Sequence, residues 1–203
     1  VSSAASDVYK RQIEILDRYQ IEVPERVRAH LLSAECETPT STDARLNHSQ
    51  MYVLATPMKS LQAAAEIARQ AGYHPVILGD ALEGESRALA AEMARTAKAS
   101  PPQTALISGG ETTVIVIGNG KGGRNAEFIH ALALQGPFYG LAADTDGIDG
   151  ALPIAGGYIT PDTLARAAER GIDARASLEN NDSHGFFAAL DSPVSYTHLT
   201  LPT

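Results

Sequence analysis

Cysteine is almost absent from this 203-residue sequence: Cys36 stands alone, which excludes an internal disulfide and with it a stapled, secreted scaffold. Cys36 also lacks an adjacent basic or histidine residue that would activate its thiol. Basic residues are scarce as well. Sixteen Lys and Arg face 24 Asp and Glu, giving a formal net charge of −8 and a pI near 5.2. Nucleic acid is thereby excluded as a main partner, since phosphate-backbone binding needs a basic stripe. No run of about 18 apolar residues exists to cross a membrane, and the first residues lack an apolar stretch of signal-peptide length. The six histidines have no ligand spacing, so no zinc site is expected. What is present, 44% apolar and 20% charged residues, predicts a folded, soluble, cytoplasmic protein with a substantial core.

Charge is unevenly spread. Residues 1–103 carry 11 basic and 13 acidic side chains, whereas residues 104–203 carry 5 and 11, with much of the excess in one short loop. Periodicity predicts a helical stretch from Ile13 to Leu32 interrupted at Val23-Pro24, then a polar connection at Thr38–Thr42. Alternating strands and helices follow: a strand at Met51–Ala55, a helix at Ser60–Ala71 closed by Gly72, a strand at His74–Leu78 and a helix from about Glu83 to Lys98. This βαβα order implies a parallel sheet.

Ser100-Pro101-Pro102 marks an expected boundary between domains. Beyond it, strands at Thr104–Ile107 and Thr113–Ile117 are expected to form a hairpin around Ser108–Glu111. A glycine-rich loop at Gly118–Gly123 then leads into a helix over about Arg124–Gln135, and a strand at Phe138–Ala143 ends in an acidic loop. A further helix is expected after Thr160, with Thr160 as N-cap, Pro161 in the first position and Gly171 closing it. Residues 1–12 and 192–203 fit no neighbouring element and are expected to be non-native tails.

Three constellations carry chemistry. Gly118, Gly120, Lys121, Gly122, Gly123, Arg124 and Asn125 form a loop whose backbone N–H groups and helix N-terminus suit an anion, with two cations added. A flexible turn with solvated charges is the structural alternative. Gly118, Gly120 and Gly123 also satisfy G-x-G-x-x-G, and Asp144 lies about 20 residues on, so a dinucleotide site competes. Asp144, Asp146 and Asp149 cluster with Gly147 and Gly150; such carboxylates suit Mg²⁺ beside phosphate oxygens, or one can accept a hydroxyl proton. An EF-hand is excluded, because glycine stands at position four and Ala155 at position twelve. Glu111 sits at the expected hairpin tip, where a plain turn needs no carboxylate. Asn180-Asn-Asp-Ser183 reads most simply as the N-cap region of a helix over Gly185–Leu190.

Taken together, Ser108-Gly-Gly-Glu-Thr-Thr113, Gly120-Lys-Gly-Gly-Arg-Asn-Ala-Glu-Phe128, Ala142-Ala-Asp-Thr-Asp-Gly-Ile-Asp-Gly150 and Asn180-Asn-Asp-Ser183 resemble the class II glycerate 2-kinases, whose C-terminal part is the MOFRL domain. Leu78-Gly-Asp-Ala-Leu-Glu-Gly-Glu85 fits the end of that family's N-terminal domain. The resemblance implies an α/β chain: residues 13–102 as the last part of a Rossmann-like domain, and 103–191 as a truncated, mixed-sheet MOFRL domain. It further implies ATP-dependent phosphorylation of D-glycerate to 2-phosphoglycerate with Mg²⁺. Arg124, Asp144 and Glu111 would be catalytic, Asp144 and Asp146 would hold metal, and Gly118, Gly120, Lys121, Gly122, Gly123 and Asn125 would contact nucleotide. Whole members of the family are about twice as long, which implies a fragment inactive alone. A hydroxypyruvate reductase using NAD(P)H and a non-catalytic ligand-binding domain remain the alternatives.

Overall fold

The computed structural model describes residues 12–33, 42–50, 52–150 and 152–195. They divide into two compact units, residues 1–54 and 55–203. In the first, helices at 12–18 and Glu25–Leu31 are separated at Pro24, as expected, and a short 3₁₀ turn spans Ala44–Leu46. No residue of Glu25–Leu31 is buried. The expected strand at 51–55 does not form: Met51 lies outside the described residues, and 52–55 have no ladder partner. Tyr52 and Leu54 are exposed accordingly.

The second unit opens with α1 (Pro57–Gln70), where the Thr56 hydroxyl accepts the Lys59 N–H and proline occupies the first turn. Strand β1 (His74–Glu85) runs past the expected end at Leu78, through irregular register around Gly79, and stops only where Glu85 caps α2 (Ser86–Ala99). The Glu85 carboxylate accepts the Ala88 N–H at 2.8 Å, so this residue ends one element and begins the next. Strand β2 (Thr104–Thr113) pairs in parallel with β1 along its whole length.

That pairing corrects the expected hairpin. Ser108–Glu111 is mid-strand, its register following Gly79 to Glu83, and Glu111 lies opposite Glu83 instead of at a turn. Residues 114–117 continue without a ladder, leaving Ile115, Val116 and Ile117 exposed. Ser100-Pro101-Pro102 is the connection between α2 and β2, inside this unit.

Helix α3 (Arg124–Ala133) is the centre of the core. Its Ala126, Ile129, Ala131, Leu132 and Ala133 are buried, and the small Ala90 and Ala94 of α2 belong to the same cluster. Alanines at a helix contact permit close approach of the two axes. Strands β3 (Gly140–Ala143), β4 (Gly156–Ile159) and β5 (Pro193–Val194) form an antiparallel sheet in the order β3-β4-β5. Residues 192–194, expected to belong to a tail, are built into this sheet: Val194 and Ser192 are buried. Gln12, expected to belong to the other tail, is the first described residue of the helix at 12–18, while 196–203 and 1–11 lie outside the described residues.

Helices α4 (Thr163–Glu169), α5 (Ala174–Glu179) and α6 (Ser183–Ala189) complete the unit. Helix α4 begins later than expected. Thr160 does not cap it but donates its N–H to Thr163 Oγ1, and Asp162 is the N-cap; Gly171, at φ +70°, follows its C-terminal end. Parallel β1-β2 and antiparallel β3-β4-β5 together make the mixed α/β architecture that was expected. No helix among the described residues is long and apolar enough to cross a membrane.

His130 of α3 lies fully buried, stacked on Phe186 at 3.9 Å and edge-on to Phe187. Its Nδ1 meets Ser183 Oγ at 3.1 Å. Burial pushes the imidazole pKa down to about 4. The unfolded chain, with a pKa of about 6.5, therefore takes up the proton first as pH falls. His130 contributes full stability above that value and loses about 1.4 kcal/mol per pH unit on descending towards pH 4. Urea titrations between pH 7 and 4 should show this slope, and His130→Gln should lack it.

Candidate active site

Helix α3 does not start on an open N-terminus. Asp149, wholly buried on the acidic loop after β3, accepts the Asn125 N–H through Oδ1 at 3.0 Å and the Ala126 N–H through Oδ2 at 2.8 Å. The Asn125 side chain adds a third contact at 3.3 Å, and His184 Nε2 stands 3.6 Å from Oδ2. Burial drives the Asp149 carboxyl pKa upward. His184 and the N–H groups of Ala126 and Asn125 outweigh it and hold the carboxyl below its usual range.

The glycine-rich loop is similarly occupied from within. Asn181 Oδ1 accepts the N–H groups of Ile117 and Gly118, each at 2.8 Å. Asn180 Oδ1 accepts from Asn119, its carbonyl from Gly120, and Asp182 Oδ1 from Lys121. Returning the contact, His184 N–H donates to the Lys121 carbonyl. Five consecutive loop N–H groups thus end on residues 180–182. The glycines make this possible: a Cβ on Gly118 would stand 2.3 Å from the Asn180 backbone, and one on Gly120 would stand 2.4 Å from Asp182 Cβ. Among the described residues, the N–H groups of Gly122, Gly123 and Arg124 have no internal acceptor.

Asn180, Asn181 and Asp182 therefore do more than cap a helix. Asp182 is the N-cap of α6, but its side chain makes no capping bond. Asn181, buried and at φ +54°, also donates Nδ2 to the Ile115 carbonyl and to both oxygens of Glu127. Glu127, 1% exposed, is neutralised by Arg87 Nε at 2.7 Å. A tandem of two Asn and one Asp exceeds what a single cap requires, and that surplus was the signal available in the sequence.

Above this floor, three expected catalytic residues meet. Arg124, the first residue of α3, directs NH2 to Asp144 Oδ2 at 2.6 Å and NH1 to Glu111 Oε1. Glu111 comes from β2 and Asp144 from the end of β3, so the guanidinium joins three elements. Asp144 and Glu111 hold the guanidinium pKa above its ordinary value. The buried Ser86 hydroxyl lies within 2.8–3.2 Å of Thr112 Oγ1, Thr113 O and Arg124 O, tying the start of α2 to both sides of the cluster. Ser86 carried no recognisable signal in the sequence.

Arg124, Asp144, Asp146, Thr112, Val116 and Gly122 line an open cleft of about 580 Å³. Asp146 accepts the Ile148 N–H at 2.8 Å, and Lys121 is exposed on the glycine-rich loop. Asp144 and Asp146 each retain an oxygen uncommitted among the described residues. Within those residues no group of three His, Cys, Asp or Glu side chains is disposed to hold a metal by itself. Mg²⁺ would fit Asp144 and Asp146 only with phosphate oxygens completing its shell.

Residues 104–202 match the MOFRL family. A relative from Agrobacterium vitis named as a hydroxypyruvate reductase is 40% identical over 193 residues, 89% of this chain and 43% of its own. The glycerate 2-kinase of Pyrococcus horikoshii is 33% identical, with 86% of this chain and 42% of the relative covered. A crystal structure of glycerate kinase from Thermotoga maritima superposes with a TM-score of 0.73 at 27% identity, over 92% of this chain and 46% of that one. The chain spans about half the length of the curated relatives it matches.

Asn181→Ala leaves two loop N–H groups and a buried carboxylate short of partners, at about 1–3 kcal/mol for each unsatisfied group. Amide exchange at Ile117–Lys121 should be protected in the parental chain and become fast at Ile117 and Gly118 in the variant, with Gly122 and Gly123 fast in both. Fast exchange at Gly118 and Gly120 in the parental chain would contradict the internal pairing.

Proposed function

We propose, from the match of residues 104–202 to the MOFRL family, that the full-length protein transfers the γ-phosphoryl group of ATP to D-glycerate, giving 2-phosphoglycerate. The observation that carries this reading is the Glu111–Arg124–Asp144 cluster at the edge of the cleft. Phosphoryl transfer needs little covalent chemistry from the protein. It needs positioning and charge stabilisation. Arg124 offers a planar fork that matches phosphate or the glycerate carboxylate. Asp144 or Glu111 accepts the proton of the attacking hydroxyl, whose oxygen bonds to phosphorus as the bond to the ADP oxygen breaks. Asp144 and Asp146 would hold Mg²⁺, which supplies charge neutralisation on the phosphates.

Nucleotide contacts fall to Lys121, Gly122 and Gly123. The N–H groups of Gly118, Gly120 and Asn125 already donate internally. The same fact weighs against the reductase name carried by the Agrobacterium relatives. A dinucleotide fingerprint seats a pyrophosphate on the N–H groups of the loop and helix, and here the Asp149 carboxylate fills that seat. A second anion there would face a buried negative charge.

In the full-length protein, Arg124→Lys keeps charge and loses the fork, so kcat/KM for glycerate at saturating Mg-ATP should fall about 10²-fold, roughly 2.7 kcal/mol. Thermal-shift titration should show greater stabilisation by Mg-ATP than by NADH at equal concentration. A folded Arg124→Ala enzyme with parental kcat/KM would remove Arg124 from the site, and greater stabilisation by NADH would favour the reductase.

A further inference from the structure

We infer that Asp149 is a positioning residue for Arg124, an inference that rests on the kinase reading above. Its carboxylate takes the N–H groups of Asn125 and Ala126, the two residues that directly follow Arg124. On the other side, Gly123 packs so closely that a Cβ there would stand 2.3 Å from Asp149 Cγ. Asp149 therefore touches the backbone on both flanks of Arg124.

A helix cap alone does not require this. A Ser or Thr next to the helix would take one of these N–H groups, as an ordinary cap does, without burying a charge, which is costly unless fully matched. What Asp149 adds is a link between α3 and the loop that also carries Asp144. That loop is pinned at two points, Asp144 N–H to Ala155 O and Asp149 N–H to Ile154 O, each at 2.7 Å. One rigid loop thus holds Arg124 twice: Asp149 fixes its backbone and Asp144 takes its guanidinium. The register between these two grips sets the direction of the fork into the cleft. His184, the one titratable group near the carboxylate from α6, stands behind it at 3.6 Å.

The test is a double-mutant cycle on kcat in the full-length protein, with each value normalised to the folded fraction by circular dichroism. Asp149→Asn alone should lower kcat about 10²-fold, as expected for a misaimed catalytic group. In an Arg124→Ala background the same change should cost less than about 3-fold, because the group it aims is gone. Equal losses in both backgrounds would overturn the inference and mark Asp149 as purely structural. A second readout uses the 203-residue chain and does not depend on activity. The Arg124 Nη–H resonances, held by Asp144 and Glu111, should be resolved in the parental chain and averaged in Asp149→Asn; unchanged resonances would also overturn the inference. Should Asp149→Asn fail to fold, Asn125→Ala removes only the side-chain contact to the carboxylate. It should give a several-fold kcat loss that vanishes beside Arg124→Ala, and an undiminished loss there refutes the assignment. Absence of glycerate phosphorylation by the parental protein, with the resonances behaving as described, would sink the kinase reading alone.

Discussion

The buried carboxylate of Asp149 beneath the N-terminus of α3 is the interaction on which the rest of this unit depends. Helix α3 carries the centre of the core, so whatever fixes its first turn fixes the packing of Ala126, Ile129 and Leu132 against their neighbours. The first N–H groups of a helix need acceptors, and the positive end of the macrodipole favours an anion there. This chain supplies that anion itself, from a loop 24 residues downstream of Asn125. The Asn125 and Ala126 N–H groups are satisfied from within the chain, and the residue just before them is the arginine that faces the cleft.

A glycine-rich loop between extended chain and helix invites the reading of a phosphate cradle. Here Gly118 and Gly120 have another physical cause: the backbone of residues 180–182 passes too close for a side chain. Glycine and asparagine motifs more than 50 residues apart are two halves of one structure, the first giving room and donors, the second giving acceptors. The loop becomes a firm floor. The N–H groups left without an acceptor among the described residues, at Gly122, Gly123 and Arg124, are those nearest the Glu111–Arg124–Asp144 cluster in sequence.

Much of this was legible beforehand. Alternation of apolar runs with helical spacing pointed to an α/β chain with a parallel sheet, the family resemblance added the mixed sheet, and residue chemistry brought Glu111, Arg124 and Asp144 forward before any geometry joined them. The failures share a cause. The hairpin at Ser108–Glu111 was inferred from two glycines, yet a parallel partner 25 to 30 residues upstream absorbed both into a strand; local turn propensity yielded to a long-range ladder. Residues 114–117 have strand composition but no partner among the described residues, and composition cannot supply one. Asp149 and Asn181 were seen as part of an acidic cluster and a cap, because sequence shows residue types and not which distant N–H groups face them. Ser86 is invisible for the same reason: one hydroxyl between three elements has no pattern.

Phosphoryl transfer, as against hydride transfer, is the central claim, and one preparation of the full-length protein decides it. ADP formation should be followed with D-glycerate and Mg-ATP, and NADH oxidation with hydroxypyruvate, in parallel on the same sample. The account predicts glycerate-dependent ADP release accompanied by 2-phosphoglycerate, with no NADH consumption above the buffer control. Hydroxypyruvate-dependent NADH oxidation without ADP release would contradict it.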